Sequence, residues 1–208
     1  MLNIAVLVSG GGTNLQALLD AQKSGVLHSG RIALVVSSRP GVYALTRAAE
    51  AGVESAVIDR KACQSGEEFD AKLLALLREK GADLVVLAGF LTICGKAVVE
   101  AYPNRILNVH PALIPSFCGK GFYGLKVHEA ALERGVKVTG ATVHLVNEIP
   151  DGGPILAQKA VEVFPGDTPE TLQRRVMEQA EWVLLPAATE EVCQGILKKE
   201  GKAFGTAQ

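Results

Sequence analysis

The stretch NIAVLVSGGGTNLQALLDAQKSGVLHSGRIALVVS, Asn3 to Ser37, decides the fold. Asn3–Ser9 is an apolar, β-branched run of strand length. Asn14–Ser24 places Leu15, Leu18 and Leu19 at helical spacing, so one side of that segment can cover a sheet. Ile32–Ser37 is the next strand. Strand, helix and strand in so short a span predict a βαβ unit and hence a parallel sheet.

The same alternation continues outward. Val42–Ala51 reads as a helix and Ser55–Ile58 as a short strand, while Ser65 with Glu68 forms a capping box for a helix running to Lys80 and ending at Gly81. Leu84–Ala88 is apolar throughout, as a central strand buried on both faces requires. Ile106–Val109 is a further strand that ends at His110. Val136–Val146 and Ile155–Val163 have no helix between them and are expected to be neighbouring antiparallel strands. Thr168, Pro169 and Glu170 then open a last long helix, whose apolar stripe is Leu172, Val176, Ala180 and Val183. Phe164 and Trp182 are expected in the core or around this helix, and the tail after Gly201 is expected to be loosely held. The expected architecture is α/β, a mostly parallel sheet with helices on both faces and an antiparallel portion in the C-terminal half, in one domain over 1–208.

Charge narrows the function. Lys and Arg number 21 against 22 Asp and Glu, interspersed, so no basic face for a nucleic acid is expected. The opening MLNIAVLVSGGG lacks a basic leader and its apolar run is too short to span a bilayer, so no membrane partner is expected. Cys63, Cys94, Cys118 and Cys193 are scattered, which suits reduced thiols in a cytoplasm. The four histidines show no metal-ligand spacing, and no metal is expected.

Three polar segments carry the chemistry. Ser9-Gly10-Gly11-Gly12-Thr13-Asn14 joins a buried strand to a helix and fits neither the dinucleotide nor the P-loop pattern. It reads either as a nest of backbone N–H groups for a monophosphate or as a ligand-free corner. Asn108 and His110 alternate on a strand, point to one side and could together donate to a developing oxyanion, or the histidine could serve a buried carbonyl. Asp151-Gly152-Gly153-Pro154 is by itself a solvated glycine turn. Its weight rises if Asp151 reaches His110, whose imidazole a carboxylate would keep cationic. His144 is read first as a structural hydrogen bonder that could also line the site; His128, placed at the start of a helix running to Arg134, and His28, in a loop, have no assigned role.

Taken together, IAVLVSGGGTNLQALLD, DLVVLAGFLTIC, ILNVHPALIPSF and VTGATVHLVNEIPDGGPILAQ resemble the folate-dependent glycinamide ribonucleotide formyltransferases, in order and at similar spacing over nearly the whole chain. The resemblance implies a Rossmann-like formyltransferase fold and transfer from 10-formyltetrahydrofolate as co-substrate to glycinamide ribonucleotide, by a monomer or homodimer without metal. It implies Gly12, Thr13 and Asn14 at the ribonucleotide phosphate, Glu181 on the ribonucleotide, and Leu91, Thr92, Ile93 and Cys94 with Asn108 at the folate. It also implies Asn108 as oxyanion donor, His110 as general acid, and Asp151 raising the histidine's pKa. Three departures stand out: Gly66 and Thr92 replace arginines that some relatives carry near the folate tail, one extra residue precedes Glu181, and the Cys118–Val127 stretch is longer. Two related enzymes fit less well. Formyltetrahydrofolate deformylases carry an extra N-terminal domain and a second histidine where Pro111 stands, and methionyl-tRNA formyltransferases add a C-terminal RNA-binding domain. A non-catalytic sugar-phosphate-binding domain would need the nest but not Asn108, His110 and Asp151 together.

Overall fold

A computed structural model describes residues 1–204 of the chain. The strands are β1 (Leu2–Val8), β2 (Gly30–Ser37), β3 (Glu54–Val57), β4 (Leu84–Leu87), β5 (Ile106–His110), β6 (Val138–Leu145) and β7 (Ile155–Glu162). They form one sheet in the order β3-β2-β1-β4-β5-β6-β7, parallel through β5 and antiparallel at β5–β6 and β6–β7. The expected mixture of parallel and antiparallel strands is therefore found.

The helices are α1 (Thr13–Ser24), α2 (Tyr43–Glu50), α3 (Gly66–Glu79), α4 (Lys96–Ala101), α5 (Leu125–Arg134), α6 (Pro169–Val176) and α7 (Trp182–Phe204). Alternation along the strands assigns them to the two faces. Ile4, Val6 and Val8 of β1 point into a core shared with α1, α2 and α7, whereas Ala5 and Leu7 meet Phe69, Leu73 and Leu77 of α3 and Val98 of α4. A smaller core under β6 and β7 joins Ala141 and Val161 to Ala131 of α5 and Leu172 and Val176 of α6.

Two local expectations need correction. Ser65 caps α3 by accepting from the Glu68 N–H, but the Glu68 carboxylate accepts from the N–H of Gln64, not Ser65, so the box does not close on itself. The last long helix is not uniform: Met177–Glu181 is a π-turn between α6 and α7. Its wider i→i+5 repeat advances the helix phase by a residue, so Ala180 stays buried but Leu185 takes the next core position while Val183 is exposed. Phe164, although exposed, lies around this helix as expected, stacked on the Arg175 guanidinium of α6 4.1 Å away. Of the tail after Gly201, the backbone to Phe204 continues α7; 205–208 lie outside the described residues.

Candidate active site

The site lies beyond the carboxyl ends of β1, β4 and β5, where the strand order reverses about β1 and open α/β sheets bind ligands. A cleft of about 480 Å³ is bounded by the Ser9–Asn14 turn, Asn108 and His110, Asp151 and Glu181. A slot of about 120 Å³ beside it is bounded by Leu91–Cys94 and the β6–β7 connection. Phe90, Leu91, Asn108 and Asp151 form a wall common to both. Gly12, Thr13, Asn14, Leu91–Cys94, Asn108, His110, Asp151 and Glu181 thus each line one or both of these adjoining hollows.

The glycine turn is shaped by close packing as much as by its own flexibility. Gly12 adopts a left-handed φ of 75° at the start of α1, and a Cβ there would collide with Ala44 of α2. No side chain caps α1, so the N–H groups of its first turn remain available to a ligand in the cleft. The turn's outer side is secured by Arg47, which donates to the Gly11 carbonyl, and by the Ala44 N–H, which donates to Gly10. Asn14 donates to the Glu181 carboxylate at 2.7 Å, but its own carbonyl oxygen is buried without a partner. Burial pushes the Glu181 carboxyl up to about 7, against that single hydrogen bond.

The slot is held by two anchors. Ser9 Oγ accepts from the Leu91 N–H, and Asp70 accepts from the Gly95 N–H, so Leu91–Cys94 is tied at both ends. The opposite rim is the β6–β7 turn. Gly153 is required there because a Cβ would run into the Leu145 carbonyl, and Asp151 takes a left-handed φ of 54°. That backbone turns the carboxylate inward, not to solvent.

Asp151 organises the partition. One oxygen accepts from the Asn108 amide at 3.3 Å and lies 3.5 Å from His144 Nε2; the other accepts from the Gly119 N–H at 2.8 Å and lies 3.6 Å from His110 Nδ1. Burial pushes its carboxyl up, but the hydrogen bonds from His144 and Gly119 and the two nearby imidazoles together hold it below its ordinary value. His110 Nε2 lies 2.8 Å from the Phe117 carbonyl, which assigns that nitrogen the proton and turns Nδ1 toward Asp151.

The expected cationic histidine is corrected here. Asp151 does raise the proton affinity of His110, as does the bond to Phe117, but burial outweighs both and the net shift is downward. At 4% exposure the ring loses more hydration than one carboxylate 3.6 Å away returns. Burial thus favours the neutral ring in the free protein.

Sequence reasoning underrated two histidines. His144 is directly opposite Asn108 across the β5–β6 ladder; its Nδ1 donates to the Leu145 carbonyl and its Nε2 lies 3.1 Å from the Asn108 amide. Once the β5–β6 register is known, that pairing can be read from the alternation of β6. His128 is fully buried in α5 on the cleft wall, with neither ring nitrogen partnered, and burial holds its pKa down to about 4. Nothing in its local sequence signals this. The 118–127 stretch also borders the site, through Gly119 on Asp151 and through Phe122, Tyr123 and Gly124 on the cleft. Among the described residues, no cluster of His, Cys, Asp and Glu could hold a metal, and no helix is long and apolar enough to cross a membrane.

Comparison with known proteins agrees with this geometry. The family described as Formyl transferase matches residues 2–189. The trifunctional purine biosynthetic protein adenosine-3 of Gallus gallus is 44% identical over 95% of this chain, which spans only 19% of that protein's length. Phosphoribosylglycinamide formyltransferase of Escherichia coli K12 is 37% identical over 97% of this chain and 92% of its own. The crystal structure of glycinamide ribonucleotide transformylase 1 from Symbiobacterium toebii superimposes with a TM-score of 0.88, at 45% identity, covering 94% of this chain and 89% of that one. With the family match running from β1 into α7 and full-length relatives above 30% identity, the chain belongs to the formyl transferase family.

Proposed function

We propose that the chain transfers the formyl group of 10-formyltetrahydrofolate to the amine of 5-phosphoribosylglycinamide, giving formylglycinamide ribonucleotide and tetrahydrofolate in purine synthesis. The observation that carries this reading is the shared partition: Asn108 and Asp151 border both the nest-bearing cleft and the slot. A phosphorylated amine in the first and a formylfolate in the second would bring the two reacting atoms together there. In this reading Gly12, Thr13 and Asn14 take the phosphate, Glu181 the rest of the ribonucleotide, and Leu91, Thr92, Ile93 and Cys94 the folate ring. The whole chain works as one domain on small molecules, as a monomer or homodimer in the cytoplasm, with no metal and no nucleic acid.

The local geometry suggests an order of events. The amine attacks the formyl carbon, and the new oxyanion takes an Asn108 N–H that the Asp151 carboxylate holds in the free protein. Neutral His110 accepts a proton from the attacking nitrogen at Nδ1. The resulting imidazolium is stabilised by Asp151 and by the oxyanion. It then acts as general acid, protonating the folate nitrogen as the carbon–nitrogen bond breaks and the carbonyl re-forms. Asp151 raises the proton affinity of His110 in the empty protein too, but there burial outweighs it.

The deciding assay follows formyltetrahydrofolate consumption by the pure protein with and without glycinamide ribonucleotide. Amine-dependent transfer is expected. Equal consumption in both would make the protein a hydrolase, and none would leave a sugar-phosphate-binding domain.

A further inference from the structure

The glycine turn leans on α2 through its carbonyls, and one α2 side chain brings charge to that contact. The Gly10 carbonyl accepts from the Ala44 N–H in the first turn of α2, and the Gly11 carbonyl accepts from Arg47 Nε at 2.9 Å. In a trans peptide the carbonyl and the N–H of the next residue point in opposite directions. Fixing both carbonyls against α2 therefore aims the N–H groups of Gly11 and Gly12 away from that helix, and both glycines border the cleft. Neither N–H has a protein acceptor among the described residues.

Arg47 is itself held in place. Its Nη1 donates to Gln16 of α1 at 2.9 Å, Gln16 in turn donates to Asp20, and the guanidinium lies 4.9 Å from the centre of the Tyr43 ring. Arg47 Cδ is 3.4 Å from where a Cβ on Gly12 would stand, so the stem runs along the back of the turn. Asp20 and Glu50 border the same hollow as Arg47, yet among the described residues no carboxylate forms an ion pair with it. The cleft, by contrast, has no Lys or Arg among the described residues that line it. A phosphate bound there would draw its positive field from behind the turn and from the amino end of α1. A guanidinium on a peptide carbonyl also polarises that peptide and strengthens its N–H as a donor. Here that peptide joins Gly11 to Gly12.

We propose that Arg47 is a positioning residue for the phosphate of the ribonucleotide: without touching the ligand, it polarises the Gly11–Gly12 peptide and sets a full positive charge behind the turn. The inference rests on the formyl-transfer reading for the identity of the molecule that bears the phosphate. Arg47 then acts on binding of the phosphorylated substrate and not on the chemistry at Asn108 and His110.

The test compares wild type with Arg47→Met, which keeps the stem but loses the charge and the donors, and with Arg47→Lys, which keeps the charge. In steady-state transfer the Met variant should raise the KM for glycinamide ribonucleotide about 10-fold, the scale of one charge-assisted hydrogen bond, with a smaller effect on kcat and none on the KM for the formyl donor. The Lys variant should recover most of that loss, and added salt should narrow the gap between the Met variant and wild type. Glycinamide riboside, which lacks the phosphate, is the decisive comparison. Its kcat/KM should differ by less than about 2-fold between the Met variant and wild type, because the coupling runs through the missing group. An equal loss with both substrates would make Arg47 a structural prop, and an unchanged ribonucleotide KM would remove it from recognition; either result overturns the proposal. Titration with inorganic phosphate, followed by the amide nitrogen shift of Gly12, separates this failure from that of the formyl-transfer reading. Phosphate affinity that depends on Arg47 in a protein that transfers no formyl group would sink that reading alone, whereas transfer with phosphate affinity independent of Arg47 would sink this one alone.

Discussion

The two ends of the sheet treat similar polar side chains in opposite ways. Glu190 and Glu181 are nine-tenths buried or more and lie close together in sequence. Glu190 reaches the amino end of β2, where it accepts from the His28 and Ser29 N–H groups, the Ser29 hydroxyl and Gln194, with His28 Nε2 at 3.2 Å. Burial pushes its carboxyl up, but these donors prevail and hold it down to about 2. Glu181, at the carboxyl end, has one donor, and its pKa rises to about 7. Of the five buried side-chain nitrogen and oxygen atoms without a partner among the described residues, three belong to Asn14 and His128 on the cleft. At the amino end the satisfied carboxylate holds the fold together, whereas the unpartnered atoms of Asn14 and His128 face a cleft where a ligand could satisfy them.

Four substitutions probe that contrast. The largest expected effect is on His110→Ala, which should lower kcat by about 10²- to 10⁴-fold while leaving ribonucleotide binding close to wild type, as the loss of a positioned proton donor predicts. Near-normal turnover in the purified variant would remove His110 from the chemistry. Glu190→Gln should do the reverse, leaving kcat intact but lowering unfolding free energy by about 3 kcal/mol at pH 7. Because the folded pKa of Glu190 is depressed, its contribution is complete above the unfolded value of 4.5 and is lost as pH falls toward about 2. Denaturant melts should therefore show the two proteins converging through that acid range, and a constant gap would contradict the assignment.

Glu181→Gln should have the opposite sign. The raised pKa of Glu181 makes its ionisation in the folded protein costly, so wild-type stability declines as pH rises from 4.5 to about 7. The glutamine removes that decline and should be the more stable protein by about 2 kcal/mol at pH 8, yet bind ribonucleotide less well. Equal stability at pH 8 would mean that Glu181 ionises without penalty. Asp151→Asn gives the subtlest readout. It removes the carboxylate that raises the His110 pKa, so the acid limb of kcat/KM against pH should move to lower pH; an unmoved limb would uncouple the pair.

Much of this was legible in the residues. Strand-length apolar runs and helical leucine spacing located the sheet and most helices, because β4, and β1 beyond Asn3, are buried on both faces and show no polar interruptions. Asn108 and His110 were readable as a pair because strand alternation fixes their common side. Asp151 needed the resemblance, since its inward turn depends on the Leu145 carbonyl excluding any side chain at Gly153, a contact that the local sequence does not encode. The protonation of His110 was misjudged for a similar reason: a neighbouring acid can be inferred from a motif, but the degree of burial follows from how β5, β6 and the 117–124 loop close over the ring. The π-turn escaped because a helical stripe read at constant pitch has no place for an extra residue.

That π-turn also constrains how the chain could vary. An α-helix rotates about 100° per residue, so deleting one residue between Met177 and Ala180 would favour an ordinary helix and swing either α6 or Glu181 through about that angle. If the α7 packing held, α6 would leave its seat under β6 and β7; if α6 held, the carboxylate would turn away from Asn14. The defect in the hydrogen-bond ladder thus acts as a spacer, and a shortened descendant with a more regular helix would gain backbone order at the expense of either the α6 packing or the Asn14–Glu181 contact.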